Sequence, residues 1–183
     1  MEWSGAHNSR FEATKSVLVD FTCSKTKRRL PMVLSGVTLT PQPAHKFLGV
    51  SMDQELRWNH QASNSLAKAT KWVLAFRRLA HPSAGIRPRL MKQLYNAVAV
   101  PRMTYAVDIW YTPVHKQQGR MRASSSVGAT GKLASLQRMA TMAITGALRS
   151  TATDILDLHA GVLPVGLLLR RICHGAKIGR AHV

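Results

Sequence analysis

The residues able to do acid–base or metal chemistry are few: Glu2, Glu12, Asp20, Asp53, Glu55, Asp108, Asp154 and Asp157 are all the acids the chain has. Hydrolysis by paired carboxylates, or phosphoryl transfer through two metal ions, needs at least two of them to converge. Only Asp53 with Glu55, and Asp154 with Asp157, are close in sequence. Asp154 and Asp157 read as a helix N-terminus complementing its dipole, with Asp154 as the cap. Asp53 and Glu55 share a face at a strand end, but no histidine or third acid joins them to hold a metal, and Asp53 reads as non-catalytic. The sequence contains no Gly-rich phosphate loop, no nucleophile elbow and no Cys–His arrangement. His60, His81 and His115 are isolated, and Cys23 and Cys173 lie far apart without metal-ligand spacing. Two reduced cysteines in an intracellular protein are the expectation.

The opposite sign is better organised. The chain carries 26 Lys and Arg against 8 acids, a net charge of +18. Between Glu55 and Asp108 there is no acid, yet Arg57, Lys68, Lys71, Arg77, Arg78, Arg87, Arg89, Lys92 and Arg102 all fall there. Between Asp108 and Asp154 the same holds, with Lys116, Arg120, Arg122, Lys132, Arg138 and Arg149. A solvated helix face usually mixes its charges; a face of one sign binds phosphate backbone without reading sequence. Nucleic acid is therefore the expected partner. A membrane is not: the best apolar segment, Val162 to Leu169, is short and holds Pro164 and Gly166. Met1 to Arg10 has no apolar run of the secretory kind, so a nuclear or cytoplasmic protein is expected. Trp58, Trp72, Tyr95, Tyr105, Trp110 and Tyr111 could stack on bases, although helical spacing assigns most of them to a core.

These side chains must be carried by a small β-rich start and a helical remainder. Val17 to Phe21 is a strand candidate, followed by a basic turn of Lys25, Lys27, Arg28 and Arg29. Met32 to Thr40 reads as a hairpin turning at Ser35-Gly36, and Pro41 and Pro43 end it. Lys46 to Asp53 reads as a short buried strand leading toward a helix, with Gly49 marking a bulge or a close backbone approach. Ala62 to Ala80 is the clearest helix: Leu66, Ala69, Val73, Phe76 and Ala80 form one apolar stripe. At roughly 100° per residue, Lys71 falls opposite that stripe, Arg78 beside it and Lys68 at the edge. A second helix starts near Pro88 and meets Pro101, which breaks or kinks it; Met103 to Tyr111 continues as helix until Pro113. His115 to Gly131 has linker composition. Helical pattern resumes at Lys132 with Leu133, Leu136, Met139, Ala140 and Ala143, again at Thr153-Asp154, and finally after Pro164 with Leu167, Leu168, Arg170, Arg171 and Ile172.

Phe47-Leu48-Gly49-Val50 followed by Asp53, Leu56 and Trp58 resembles the segment that closes the palm of non-LTR (LINE-type) retrotransposon reverse transcriptases. Phe11 to Ser16, then Val17 to Phe21, is similar to the preceding family segment, where an Asn-x-x-Lys-Thr or -Ser pattern leads into a strand; here Glu12 stands in place of Asn. Leu94-Tyr95 through Pro101, Tyr105, Asp108 and Trp110 resembles the thumb. Leu136-Gln137-Arg138, Ile144-Thr145-Gly146-Ala147 and Ala160-Gly161-Val162-Leu163-Pro164 resemble the region after it. The resemblance covers Ser9 to about His174.

The resemblance implies an α+β chain: a small antiparallel β remnant of a right-hand polymerase palm (1–57), a helical thumb (58–112), a flexible linker (113–131) and a helical connection region (132–177). Residues 178–183 match the translation of a common sequencing adapter, the alternative being a natural basic tail. By the family's logic Lys15 is the candidate for helping pyrophosphate leave, and Phe47, Leu48, Gly49 and Val50 are primer-grip-like. Arg57, Lys68, Lys71, Arg78, Arg87, Arg89 and Lys92 would hold RNA or an RNA–DNA duplex. The family's catalytic Asp-Asp turn has no counterpart in this sequence and would belong to an upstream polymerase portion. No cofactor is therefore expected in this chain, Mg2+ being expected only for the complete polymerase. The implied function is a C-terminal fragment of an RNA-directed DNA polymerase that grips template–primer backbone and is inactive alone. The alternatives are a stand-alone basic nucleic-acid-binding protein and a helical interaction module.

Overall fold

The computed structural model describes residues 6–7, 12–22, 24, 30–80, 85–115, 118 and 125–181. The chain is α+β: two small antiparallel hairpins near its start, then helices. It divides into two compact units, Met1–His60 and Gln61–Val183. The basic turn at Lys25 to Arg29, most of the linker composition between His115 and Ser125, and His182-Val183 lie outside the described residues.

In the first unit, strands β1 (Met32–Leu34) and β2 (Val37–Leu39) pair around Ser35-Gly36, as the sequence predicts. Both turn residues have positive φ, 49° and 81°, the geometry whose twist suits a two-residue hairpin. The expected buried strand from Lys46 to Asp53 is instead a second hairpin. Strands β3 (Ala44–Phe47) and β4 (Val50–Asp53) pair around Leu48-Gly49. Leu48 and Gly49 also have positive φ, 47° and 85°. Gly49 is thus the second residue of a tight turn rather than a bulge. A leucine rarely takes the first position, since its Cβ resists left-handed backbone, so the residue types hid the turn. The expected strand Val17 to Phe21 is also not a strand. It makes one parallel bridge, Leu18 with Pro41, and Thr22 N–H donates to Gln54 O at 3.0 Å. No continuous ladder forms, and Phe21 is left exposed.

The second unit is built on helices α1 (Asn59–Leu79), α2 (Pro88–Leu94), α3 (Val100–Met103), α4 (Val107–Trp110), α5 (Val127–Thr145), α6 (Thr153–Ala160) and α7 (Val165–Ala181). A π-helical stretch, Tyr95–Ala99, joins α2 to α3. It solves the problem of Pro101, which has no N–H for the regular ladder: the Val100 N–H reaches back to Tyr95 O, one residue further than in an α-helix. The proline therefore widens the helix locally and does not break it. The helix expected over Met103 to Tyr111 is interrupted by Ala106 in left-handed conformation, φ 53°, before α4 begins.

Helix α5 starts at Val127, earlier than the Lys132 suggested by periodicity, because residues 127–131 carry glycine and threonine rather than a stripe. It contributes Leu133, Leu136, Ala140 and Ile144 to the core and is packed by α2, α6 and α7. Gly146 and Gly161, at φ 68° and 61°, end α5 and α6. At the second of these ends, the Val162 N–H bonds Asp157 O at 3.0 Å and the Gly161 N–H bonds Leu158 O at 2.9 Å, a Schellman closure that only a residue tolerant of positive φ completes cheaply. Pro164 O then accepts from Leu167 and Leu168 to open α7. The core of α7 is Val165, Leu169 and Cys173, one residue every turn. Among the described residues no helix is long and apolar enough to cross a membrane.

Candidate nucleic-acid interface

Helix α1 decides where its cations point. Its buried residues are Gln61, Ser65, Ala69, Val73 and Phe76. The polar half of that stripe, Gln61 with Ser65, is linked by a side-chain hydrogen bond at 3.5 Å. With the buried face set by these residues, Lys71 and Arg78 project from the opposite side at roughly 100° per residue, and Lys68 flanks them. All three are exposed. The helix contains no acid, so nothing on it neutralises them.

The other predicted cations have mixed surroundings. Arg87 and Arg89 are exposed at the start of α2, around Pro88, where the helix dipole disfavours positive charge. Lys92 is half-buried; a side chain added at Gly161 would collide with its Nζ, so the ammonium lies over the C-terminal end of α6. That is the end of a helix where a cation is stabilised. Arg57 is exposed and ion-paired with Glu55, and Lys15 is ion-paired with Glu12 at 2.6 Å. In the second hairpin, Phe47 and Leu48 are exposed (58% and 77%), whereas Val50 is buried. The primer-grip-like residues are thus a solvent-facing apolar tip on an anchored strand.

Helical spacing assigned most of the six aromatic candidates to a core; half of them are buried, and Trp58 is half-buried. Tyr95, Trp110 and Tyr111 are buried and Tyr105 is exposed. Trp72 is half-buried with the Arg102 guanidinium stacked on its ring, 4.5 Å from the centroid.

Asp53 accepts from the backbone N–H groups of Arg57 and Trp58, both at 2.9 Å, which holds the chain in the turn leading to α1. Asp154 is exposed in the first turn of α6, and the cap position belongs to Ala152. Asp157, expected to serve the same dipole, is instead buried. Among the described residues no three His, Cys, Asp or Glu side chains converge to hold a metal ion.

The residues missed by sequence reasoning form a buried polar chain. Tyr95 Oη donates to Gln137 Oε1 at 3.0 Å. Gln137 Nε2 donates to Asp157 Oδ1 at 3.0 Å and to Leu163 O at 3.1 Å. Burial, and then the Asp157 carboxylate, push the Tyr95 phenol well above its ordinary range. Burial raises the Asp157 carboxyl, with a further push from Asp154; the Gln137 hydrogen bond opposes it. The Cys173 thiol is raised by burial, and then by Asp108. Nearby, Arg138 spans from Thr153 Oγ1 at 2.8 Å to Arg149 O at 2.7 Å. It holds a loop to a helix and is not a free cation. The one sequence signal for the polar chain is a tyrosine and a glutamine lying in otherwise apolar helical phase.

No family model matches the chain, and no solved structure matches it. Similar proteins are found among transposable elements. Over 154 residues, 84% of this chain, it is 22% identical to a 115 kDa protein in the type-1 retrotransposable element R1DM of Drosophila melanogaster, covering 14% of that protein. Over 143 residues, 78% of this chain, it is 26% identical to the Retrovirus-related Pol polyprotein from type-1 retrotransposable element R1 4 of Nasonia vitripennis, covering 33% of it. The R1 3 Pol polyprotein of the same wasp is 22% identical over 119 residues, 65% of this chain and 30% of the polyprotein. The chain thus spans a third or less of the length of the curated relatives it matches. At 22–26% identity, it is a distant relative of the Pol polyproteins of R1-type non-LTR retrotransposons.

Proposed function

We propose that this chain is the thumb-side stretch of a retrotransposon reverse transcriptase, gripping RNA or RNA–DNA duplex by its phosphates. The observation that carries this reading is the exposed, acid-free face of α1 with Lys68, Lys71 and Arg78. Each phosphate these groups neutralise releases condensed counterions, so binding is strong at low salt, falls steeply with salt and is indifferent to sequence. Arg87 and Arg89 extend the grip from the start of α2. The exposed tip at Phe47 and Leu48 is the primer-grip-like element, its apolar surface turned toward a sugar of the primer strand.

In this reading the chain binds and does not polymerise by itself. Asp53 accepts backbone N–H groups, Glu12 and Glu55 are ion-paired and Asp157 is buried; in this reading the metal-holding carboxylates belong to another portion of the polymerase. The relation to Pol polyproteins supports the assignment to an element of this class. The test is fluorescence anisotropy of a labelled RNA–DNA duplex across a salt series, comparing the chain with a Lys71→Ala/Arg78→Ala variant. The expected result is weaker binding to every sequence and a log–log salt slope shallower by about one to two. An unchanged slope would remove both residues from the interface and the reading with them.

A further inference from the structure

The C-terminal ends of α1 and α5 enclose a cleft of about 550 Å³, lined by Arg77, Met139, Met142, Gly146 and Arg149 together with three alanines. Cavities that take small ligands run from about 300 to 1,000 Å³. Arg77 and Arg149 both line the cleft with no acid among its lining residues, and neither has an ion pair among the described residues. Like charges brought to one concave wall repel each other, so this arrangement favours an anion there. Arginine forks suit the oxygens of a phosphate.

The wall bearing Arg149 is preset. Gly146 ends α5 with its N–H on Met142 O, Thr151 N–H bonds Leu148 O at 3.1 Å, and Arg138 holds the Arg149 carbonyl at 2.7 Å. The other lining is soft and apolar. Met139 and Met142 are half-buried, and a thioether packs well against an aromatic ring. An acidic peptide would satisfy the guanidiniums but leave this surface without a flat partner.

We propose that the cleft seats one nucleotide, its phosphate between Arg77 and Arg149 and its base against Met139 and Met142. The proposal rests on the nucleic-acid reading above and adds to it a seat for a base, which backbone gripping does not require. The nucleotide is either an unpaired residue of a strand or a free one.

The test is methyl NMR of the chain labelled at its methionines, titrated with a nucleoside monophosphate, inorganic phosphate and a short acidic peptide. The Met139 and Met142 methyl signals should shift and saturate with the nucleoside monophosphate and stay near their places with inorganic phosphate. Arg149→Gln, which keeps the backbone carbonyl that Arg138 holds, should weaken that response about tenfold. Absence of a shift in the unsubstituted chain, or an equal response to the acidic peptide, would overturn the proposal. Anisotropy separates the two sources. A loss of about tenfold for a duplex with a single-stranded overhang, against less than about twofold for a blunt one, assigns the seat to a strand. A mononucleotide response weakened in Arg149→Gln, with no effect of that variant on the overhang, assigns it to a free nucleotide. The backbone grip is read from the salt slope and the cleft from methyl shifts, so each can fail alone.

Discussion

Tyr95 and Gln137, 42 positions apart, meet in the core of the helical unit, the phenol donating to the amide oxygen at 3.0 Å. The contact ties the π-helical turn imposed by Pro101 to α5, and Gln137 carries the connection on to Asp157 and to the Leu163 carbonyl. The widened turn that carries Tyr95 is the one Pro101 requires, so a backbone irregularity and a buried network share one position.

Tyr95→Phe should therefore cost about 1–3 kcal/mol, because it leaves the buried Gln137 oxygen without its donor. Urea unfolding followed by tryptophan fluorescence measures this. A loss below about 0.5 kcal/mol would mean that another donor replaces the phenol.

Asp157 sets a pH dependence of known sign. Its folded carboxyl is raised above the ordinary 3.8, first by burial. The folded state thus binds the proton more tightly than the unfolded chain, and stability falls as pH rises from about 3.8 through the raised folded value. Asp157→Asn keeps an acceptor for Gln137 and removes the buried charge. It should flatten the thermal-melting profile across that window and be no less stable than the parent at neutral pH. A variant that is clearly less stable at neutral pH would show that the carboxylate itself is needed.

Gly161→Ala is opposed by its left-handed backbone, at about 1–2 kcal/mol. Its Cβ would also meet Lys92 Nζ, but that is the end of a flexible side chain and swings aside cheaply. Combining it with Lys92→Ala should therefore be close to additive. A coupling above about 0.5 kcal/mol in this double-mutant cycle would show that the lysine is held in place.

Leu48→Asn should stabilise the second hairpin, since Asn tolerates the left-handed conformation that Leu48 holds at φ 47°. A gain of about 1 kcal/mol is expected. Hydrogen exchange at the β3 and β4 amides reads it locally. If the apolar tip also rests on a primer strand, the same variant should bind duplex more weakly while folding better.

Much of the architecture was legible from local chemistry. Ser35-Gly36 announced its turn because serine and glycine are common turn residues and glycine takes positive φ freely; Leu48-Gly49 did not, because leucine is not a turn residue. The stripe at Ala69, Val73 and Phe76 announced α1, but its polar continuation at Gln61 and Ser65 resembled a solvated surface. Pro101 was visible as a problem for the helix, while its resolution by a π-helical turn was not.

By itself, the sequence determined the positive field and the phase of α1, and hence the exposure of Lys71 and Arg78. These follow from residue type and period alone. Only the tertiary structure decided that Asp157 is buried, that Lys92 lies over a helix end, that Arg138 serves a carbonyl, and that Arg77 and Arg149 share a cleft. A polar or charged side chain is buried or free according to partners brought from distant parts of the chain. No local pattern encodes those partners.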